Sequence, residues 1–422
     1  MSREQAETYL RLLAEAQLRT SGPQTEAPAR LDLVTHALTT TGAVGVWTAD
    51  QIRQESLLAD AARRPGPPVH LAHQPLPRDD AWVVRGPGGL HVVPVGQVTR
   101  FGDELMRGDL YVLAVAWTGL ATHLMIAWDN TSWSHPTQLA ARDDQGTTYK
   151  LTYRNLVPPV PASGAGLLEL DPSPPPGARW LDLTLFPGMP AIRVGLRKPP
   201  GPLPEVSVTP AALSPGAFLL EAIAARLLAQ APRGSPYAIG LGDIVAALRA
   251  VGQLPEDSPL PGQLRQLCQR LGAAGHGLVA KPARLPDRWR SVLDGLGRPP
   301  DPGPSEAAAG ADLGEIDGAR IVLLGLHHGE HGTAVFLDAT DVIPEDDWEY
   351  LRAVRPLPVL WLRDRSGSWH TTGRAAILGG MASGVVTLRL DVVPPLPSGL
   401  AGAELVATGQ ATEVRVRLPQ PV

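Results

Sequence analysis

With 422 residues, 44% of them hydrophobic and 19% charged, the chain is too long for one core and too apolar for disorder, so two to four domains are expected. The net charge is −5, and segments 1–208 and 209–422 carry −2 (18 basic, 20 acidic) and −3 (19 basic, 22 acidic). Neither half has the basic face that nucleic acid or an anionic membrane surface requires, and no apolar stretch reaches membrane-spanning length. Cys268 is the only cysteine, which rules out an intrachain disulfide and fits a reducing compartment. Met1–Arg19 is charged throughout and lacks the apolar run of a signal peptide, so a cytoplasmic location is expected.

In chain order, Glu4–Arg19 reads as a helix with Tyr9, Leu12, Leu13 and Ala16 on one face. Leu31–Thr41 is a second helix, ended by Gly42, and Ala49–Arg63 a third, stopped by Pro65-Gly66-Pro67-Pro68. The period then changes. Trp82–Arg85, Leu90–Val98, Leu110–Trp117 and Leu124–Trp128 are short β-rich segments, with Gly119 at a hairpin turn. Leu139–Arg142 and Thr147–Tyr153 flank the turn Asp143-Asp144-Gln145-Gly146. Leu167–Leu170, Trp180–Leu185 and Ala191–Leu196 complete a strand-rich segment whose spacing implies an antiparallel, immunoglobulin-like sandwich without the Cys–Trp–Cys signature.

Lys198–Pro215 reads as a linker, after which the pattern starts again. Leu31-x-x-Val34-x-x-x-Leu38-x-x-x-Gly42 returns as Leu241-x-x-Ile244-x-x-x-Leu248-x-x-x-Gly252, an offset of 210. Arg142-Asp143-x-x-Gly146-x-x-Tyr149 returns as Arg363-Asp364-x-x-Gly367-x-x-His370, an offset of 221, and Leu170-Asp171 as Leu390-Asp391, an offset of 220. Ile192-Arg193-Val194 returns as Val414-Arg415-Val416, an offset of 222, and Gly119 finds a counterpart in Gly329. Helices are expected at Phe218–Ala229, Asp243–Val251 and Leu260–Leu271. Strands are expected at Ala319–Leu326, Thr333–Asp338, Val359–Arg363, Trp369–Thr372, Val385–Asp391, Ala403–Ala407 and Glu413–Leu418.

The fold expected is α+β: a tandem duplication in which each repeat is a small helical bundle followed by an antiparallel, immunoglobulin-like β-sandwich. The boundaries are a helical subdomain at 1–80, a sandwich at 81–198, a linker and second helical subdomain at 199–300, and a second sandwich at 301–422.

Motifs that carry chemistry are sparse. His327-His328-Gly329-Glu330-His331 groups metal-ligand types, yet lacks the one-turn spacing of a helical His-Glu-x-x-His site and straddles an expected hairpin. His327, His328 and His331 are therefore expected on a solvated turn without a fixed metal. Adjacent carboxylates such as Asp143-Asp144 point to opposite sides of a strand and make poor catalytic dyads. There is no phosphate-binding loop and no nucleophile elbow, so no catalytic set and no cofactor are expected.

Between positions 338 and 358 the second repeat gains about 11 residues, including Pro344-Glu345-Asp346-Asp347-Trp348-Glu349-Tyr350, which reads as a short helix on a loop. Trp348 and Tyr350 are partner-contact candidates, as is Trp133 in the exposed-looking segment Asn130–Pro136. The function expected is a non-enzymatic interaction or scaffold protein with a protein partner. The alternatives are a hydrolase or metal-dependent enzyme with a site between the repeats, and a carbohydrate-binding sandwich presenting exposed tryptophans.

Overall fold

The computed structural model describes residues 3–20, 27–45, 48–49, 51–52, 91–101, 108–117, 122–129, 140–160, 163–175, 177–184, 191–196, 204–230, 237–272, 284–296, 306–329, 332–340, 342–343, 355–379, 385–397 and 399–419. The architecture is α+β, with two curled antiparallel sheets in separate halves of the chain. Helices α1 (Arg3–Thr20) and α2 (Ala27–Thr40) come first. The first sheet contains β1 (His91–Phe101), β2 (Gly108–Trp117), β3 (Thr122–Asp129), β4 (Ala140–Asp143), β5 (Thr148–Val160), β6 (Ser163–Asp171), β7 (Trp180–Thr184) and β8 (Ile192–Gly195). Strand β9 (Glu205–Pro210) leads into α3 (Pro215–Gln230), α4 (Tyr237–Ala250), α5 (Leu260–Arg270) and α6 (Asp287–Gly295).

The second sheet contains β10 (Glu306–Ile316), β11 (Ala319–Gly329), β12 (Gly332–Thr340), β15 (Val359–Arg363), β16 (Trp369–Gly379), β17 (Val385–Val393), β18 (Glu404–Thr408) and β19 (Thr412–Arg417). Between β12 and β15, β13 (Val342–Ile343) and β14 (Arg355–Pro356) pair in parallel and tie together the two ends of the half-specific insert.

Both sheets follow one strand order. The first runs β1-β2-β3-β6-β5-β4-β7-β8, and the second runs β10-β11-β12-β17-β16-β15-β18-β19, with β9 added at its end. The ladders also agree residue by residue. Trp117 pairs with Thr122 as His328 pairs with Thr333, and bulges interrupt β2 between Val112 and Ala114 and β11 between Leu323 and Gly325. Lys150–Asp171 and Thr371–Val393 are equivalent pairs, and both halves carry a cis proline at the next position, Asp171–Pro172 and Val393–Pro394. The registers thus correct two sequence matches: Trp117 aligns with His328, one residue beyond the offset that paired Gly119 with Gly329, and Leu170 aligns with Val392 rather than Leu390. Turn glycines agree as well, with φ of 70° at both Gly42 and Gly252, and of 90° and 89° at Gly146 and Gly367.

Each half is one continuous ladder, not two facing sheets. Local alternation reports which side of a strand is apolar but not which strand it pairs with, and bulges let one long sheet curl around a single core. In the second half that core draws on both ends of the sheet, from Leu313, Ile321 and Leu337 to Leu405, Val414 and Val416. The curl brings β10 against β19, and equivalently β1 against β8. Asp317, in the β10–β11 turn, closes the gap by accepting the Gln410 and Ala411 N–H groups of the β18–β19 turn at 2.5 and 3.1 Å.

The helices do not form one bundle per repeat. Phe218, Leu220 and Ile223 of α3, Leu241 and Leu248 of α4, Leu264 of α5 and Trp289 of α6 share a core with Val359, Trp361 and Val406 on the outer face of the second sheet. Strand β15 is consequently apolar on both sides, with Leu360 and Leu362 facing the inner core. Cys268 lies fully buried in the helical layer as a small apolar residue, and burial pushes its thiol up to about 11.

Equivalent elements of the two halves face one another. Helix α2 packs on α4, β1 on β10, β2 on β11 and β5 on β16, and the crossed pairs β1–β11 and β2–β10 are both present. This is how two-fold related surfaces meet. Gly240 of α4 permits the helix contact, because a Cβ there would land on Leu33 Cδ1 of α2.

Candidate functional site

Two places draw attention: the hairpin at Asp364 and the free edge of β9. Asp364 ends the β15 ladder and folds its own turn. Its Oδ1 accepts Ser366 Oγ–H at 2.7 Å and Ser368 N–H at 2.8 Å, while Gly367 takes the positive φ that the turn needs. Its Oδ2 faces His370 Nε2 at 3.4 Å, and His370 Nδ1 lies 2.7 Å from the Pro394 carbonyl. Both side chains are almost wholly buried, at 0% exposed for Asp364 and 4% for His370. Burial works to raise the Asp364 carboxyl, but the hydrogen bonds from His370, Ser366 and Ser368 outweigh it and hold it below the usual carboxylate range.

The first half builds the same corner. Asp143 Oδ1 accepts Gln145 N–H at 2.9 Å and Thr147 N–H at 2.8 Å, and Oδ2 accepts Tyr149 O–H at 2.6 Å. Burial and this bond to Asp143 push the Tyr149 phenol up to about 12. Tyr149 and His370 occupy equivalent positions, so the buried carboxylate with a ring donor six residues on is a brace common to both hairpins. Histidine adds a second nitrogen, which reaches the loop after β17.

Two clefts flank Asp364. One, of about 550 Å³, lies between α6 and the hairpin and is lined by Arg290, Ser291, Ser368, Trp369 and His370. The other, of about 650 Å³, is lined by Arg363, Arg365 and Arg417 together with Glu205 and Glu404. Of the cleft serines, Ser291 Oγ accepts Trp369 N–H at 2.8 Å and Ser366 Oγ–H donates to Asp364, while the two His370 nitrogens face Pro394 O and Asp364. Among the described residues, no hydroxyl hydrogen-bonds to His370.

The structure corrects the expected solvated turn at the histidines. His327 and His328 lie inside β11, 6% and 1% exposed, because the ladder to β12 continues through Gly329–Gly332. His328 Nδ1 is 2.8 Å from Thr333 Oγ1, and Glu306 is its partner on β10. Burial pushes the His328 imidazole below its ordinary value, with Glu306 opposing. Among the described residues, no group of three metal-ligating side chains comes together. His331, Trp133, Trp348 and Tyr350 lie outside the described residues, as does the helix expected at Pro344–Tyr350.

The β9 edge falls within the segment read from sequence as linker. Its signal was the alternation Val206-Ser207-Val208-Thr209, too short and too near proline to stand out. The strand pairs antiparallel with β19, and all six of its residues are exposed. Val206 sits opposite Val416 and Val208 opposite Val414, so both valines continue the inner, apolar face of the sheet. Because β10 meets β19, β9 projects past the closure, leaving Val206 39% and Val208 62% exposed.

The phase of its outer rim is fixed. Leu418 N–H donates to Ala403 O at 2.8 Å, and Gly409 N–H donates to Thr412 O at 2.8 Å, so even-numbered residues of β19 point to β18 and odd-numbered ones to β9. On β9 the odd residues therefore point inward, as the Ala211 N–H to Ala411 O bond of 2.9 Å also shows. Val206 and Val208 direct their N–H and C=O groups outward. No protein family, curated protein or solved structure matches this chain.

Proposed function

We propose that this protein works by binding another protein, and that the contact is strand addition at β9. The observation that carries the reading is an apolar sheet face continued into solvent at Val206 and Val208, along a rim whose main-chain donors and acceptors pair with no other strand among the described residues. Such an edge supplies affinity through its backbone and selectivity through side chains on one face. The two halves read as a tandem duplication, with shared packing framework and half-specific additions. Strand β9 extends the second sheet past β19, whereas among the described residues the first sheet ends at β8. Function is more often carried by additions than by a framework that both copies need for packing. The hydrolase alternative draws less support, because Asp364–His370 repeats a turn brace that Asp143–Tyr149 also makes in the first half.

A random peptide library panned against the protein tests the reading. It should return extended, β-branched sequences whose binding falls at least about tenfold with Val208→Pro, which removes an outward N–H without breaking the β9–β19 ladder. Equal binding by the variant, or no enrichment, removes strand addition as the function.

A further inference from the structure

The rim of β9 offers few hydrogen-bond donors, and their placement selects a partner. Residues 204, 206, 208 and 210 face outward, and Pro204 and Pro210 have no N–H. Two donors remain, on Val206 and Val208, framed by proline at both ends. A long incoming strand would meet those prolines, whereas a short, equally framed strand fits between them.

We propose that this strand is β9 of a second copy of the chain, paired antiparallel about a two-fold axis through Ser207; the inference rests on the edge-docking reading above. In that register Val206 lies opposite the second copy's Val208, and Val208 opposite its Val206. The two pairs are of the hydrogen-bonded kind, so four N–H groups find four carbonyls. All four valines lie on the side that carries Val414 and Val416, and the apolar inner face runs unbroken from one molecule to the other. Glu205 faces Thr209, so no like charges oppose. Sliding the register by two residues in either direction leaves one valine–valine pair and sets the other two valines against Pro204 or Pro210. The two-fold also suits the chemistry of the other face, where Ser207 meets Ser207.

The register is directly testable. Residue 207 forms a non-hydrogen-bonded pair with its own copy, whose Cα separation of about 4.5 Å lies within disulfide reach. Cys268 is buried and takes no part. Ser207→Cys should become a covalent dimer on mild oxidation, while Val206→Cys, which faces a valine, should cross-link at least about tenfold less. By light scattering the unmodified chain should dimerise with rising concentration, and Val208→Pro should weaken that at least about tenfold with its thermal melt nearly unchanged. Cross-linking of the two cysteine variants to the same extent overturns the proposal. So does a wild-type chain that stays monomeric at about 100 μM, a concentration that populates most specific weak dimers. If a monomeric chain still enriches extended peptides, self-pairing alone has failed; if it enriches none, the edge-docking reading has failed with it.

Discussion

Asp364 and Asp143 hold equivalent corners and differ in one neighbour, histidine in place of tyrosine. Each carboxylate is buried and accepts hydrogen bonds from its own turn, so each stabilises the fold as an anion. For Asp364 the folded value lies below the ordinary one. A carboxyl held down in this way binds fewer protons folded than unfolded. Its contribution is complete above the unfolded value of about 3.9 and is lost as pH falls through the lower, folded value. Asp364→Asn keeps the shape but presents an amide where an anion accepts. It should cost about 1–3 kcal/mol in urea unfolding near neutral pH, with wild type and variant converging as pH falls below the unfolded value of about 3.9 and through the lower, folded one. An equal gap at both pH values would show that the loss is one of shape and not of charge. The Asp-turn and its glycine were legible in the sequence, as was their duplication. The match also reached the ring positions, Tyr149 and His370, but their bonds to the carboxylates were not legible, because nothing in a hairpin's sequence states how far its strands are buried.

Among the elements, β10 tests how far the ladder overrules local preference. Glu306-Ala307-Ala308-Ala309 has helical propensity and was not read as a strand, yet it pairs with β11 along its whole length. Gly310 makes this pairing feasible. It lies across from the β11 bulge at Leu324, and a Cβ there would strike the Leu323 carbonyl, which is backbone and has little room to give. Gly310→Ala should therefore cost about 1–3 kcal/mol in denaturant unfolding; a loss of only a few tenths would mean that the bulge yields. Helices α3 and α5 and most strands of the second half lie close to their expected bounds, because a buried face imprints its period on the sequence. The two elements that shape the candidate site, β9 and α6, were missed. Strand β9 buries none of its residues and so has no burial pattern to display, and α6 has only nine residues. Its start, Asp287 after Pro286 as the N-cap residue, carries an acid in the first turn but no side-chain cap.

At the scale of the whole molecule, the two halves meet as two copies of one surface. Duplication was visible in the sequence as a drifting offset, but the facing of α2 on α4 and β1 on β10 was not, since periodicity marks a buried face without naming what covers it. His36 makes this junction sensitive to acid. It lies on α2, and burial first, then the Arg226 guanidinium of α3 in the other half, lowers its imidazole to about 4. Between that value and the ordinary 6.5 the unfolded or separated chain binds a proton that the assembled molecule refuses. Stability at the junction is thus present above about pH 6.5 and lost as pH falls toward 4, by roughly 3 kcal/mol at most. Cutting the chain between Gly201 and Pro202 isolates the effect, leaving β9 with the second half. The co-expressed fragments should purify together in equal amounts at about pH 7.5, held by the facing surfaces, and separate at about pH 4.5, where His36 of the separated fragment binds the proton that the assembly refuses. With His36→Leu in the first fragment, the pair should remain associated at the lower pH. Fragments that never associate at neutral pH would show that the facing elements contribute too little to hold the halves. Acid dissociation that persists in the leucine variant would place the proton elsewhere in the junction.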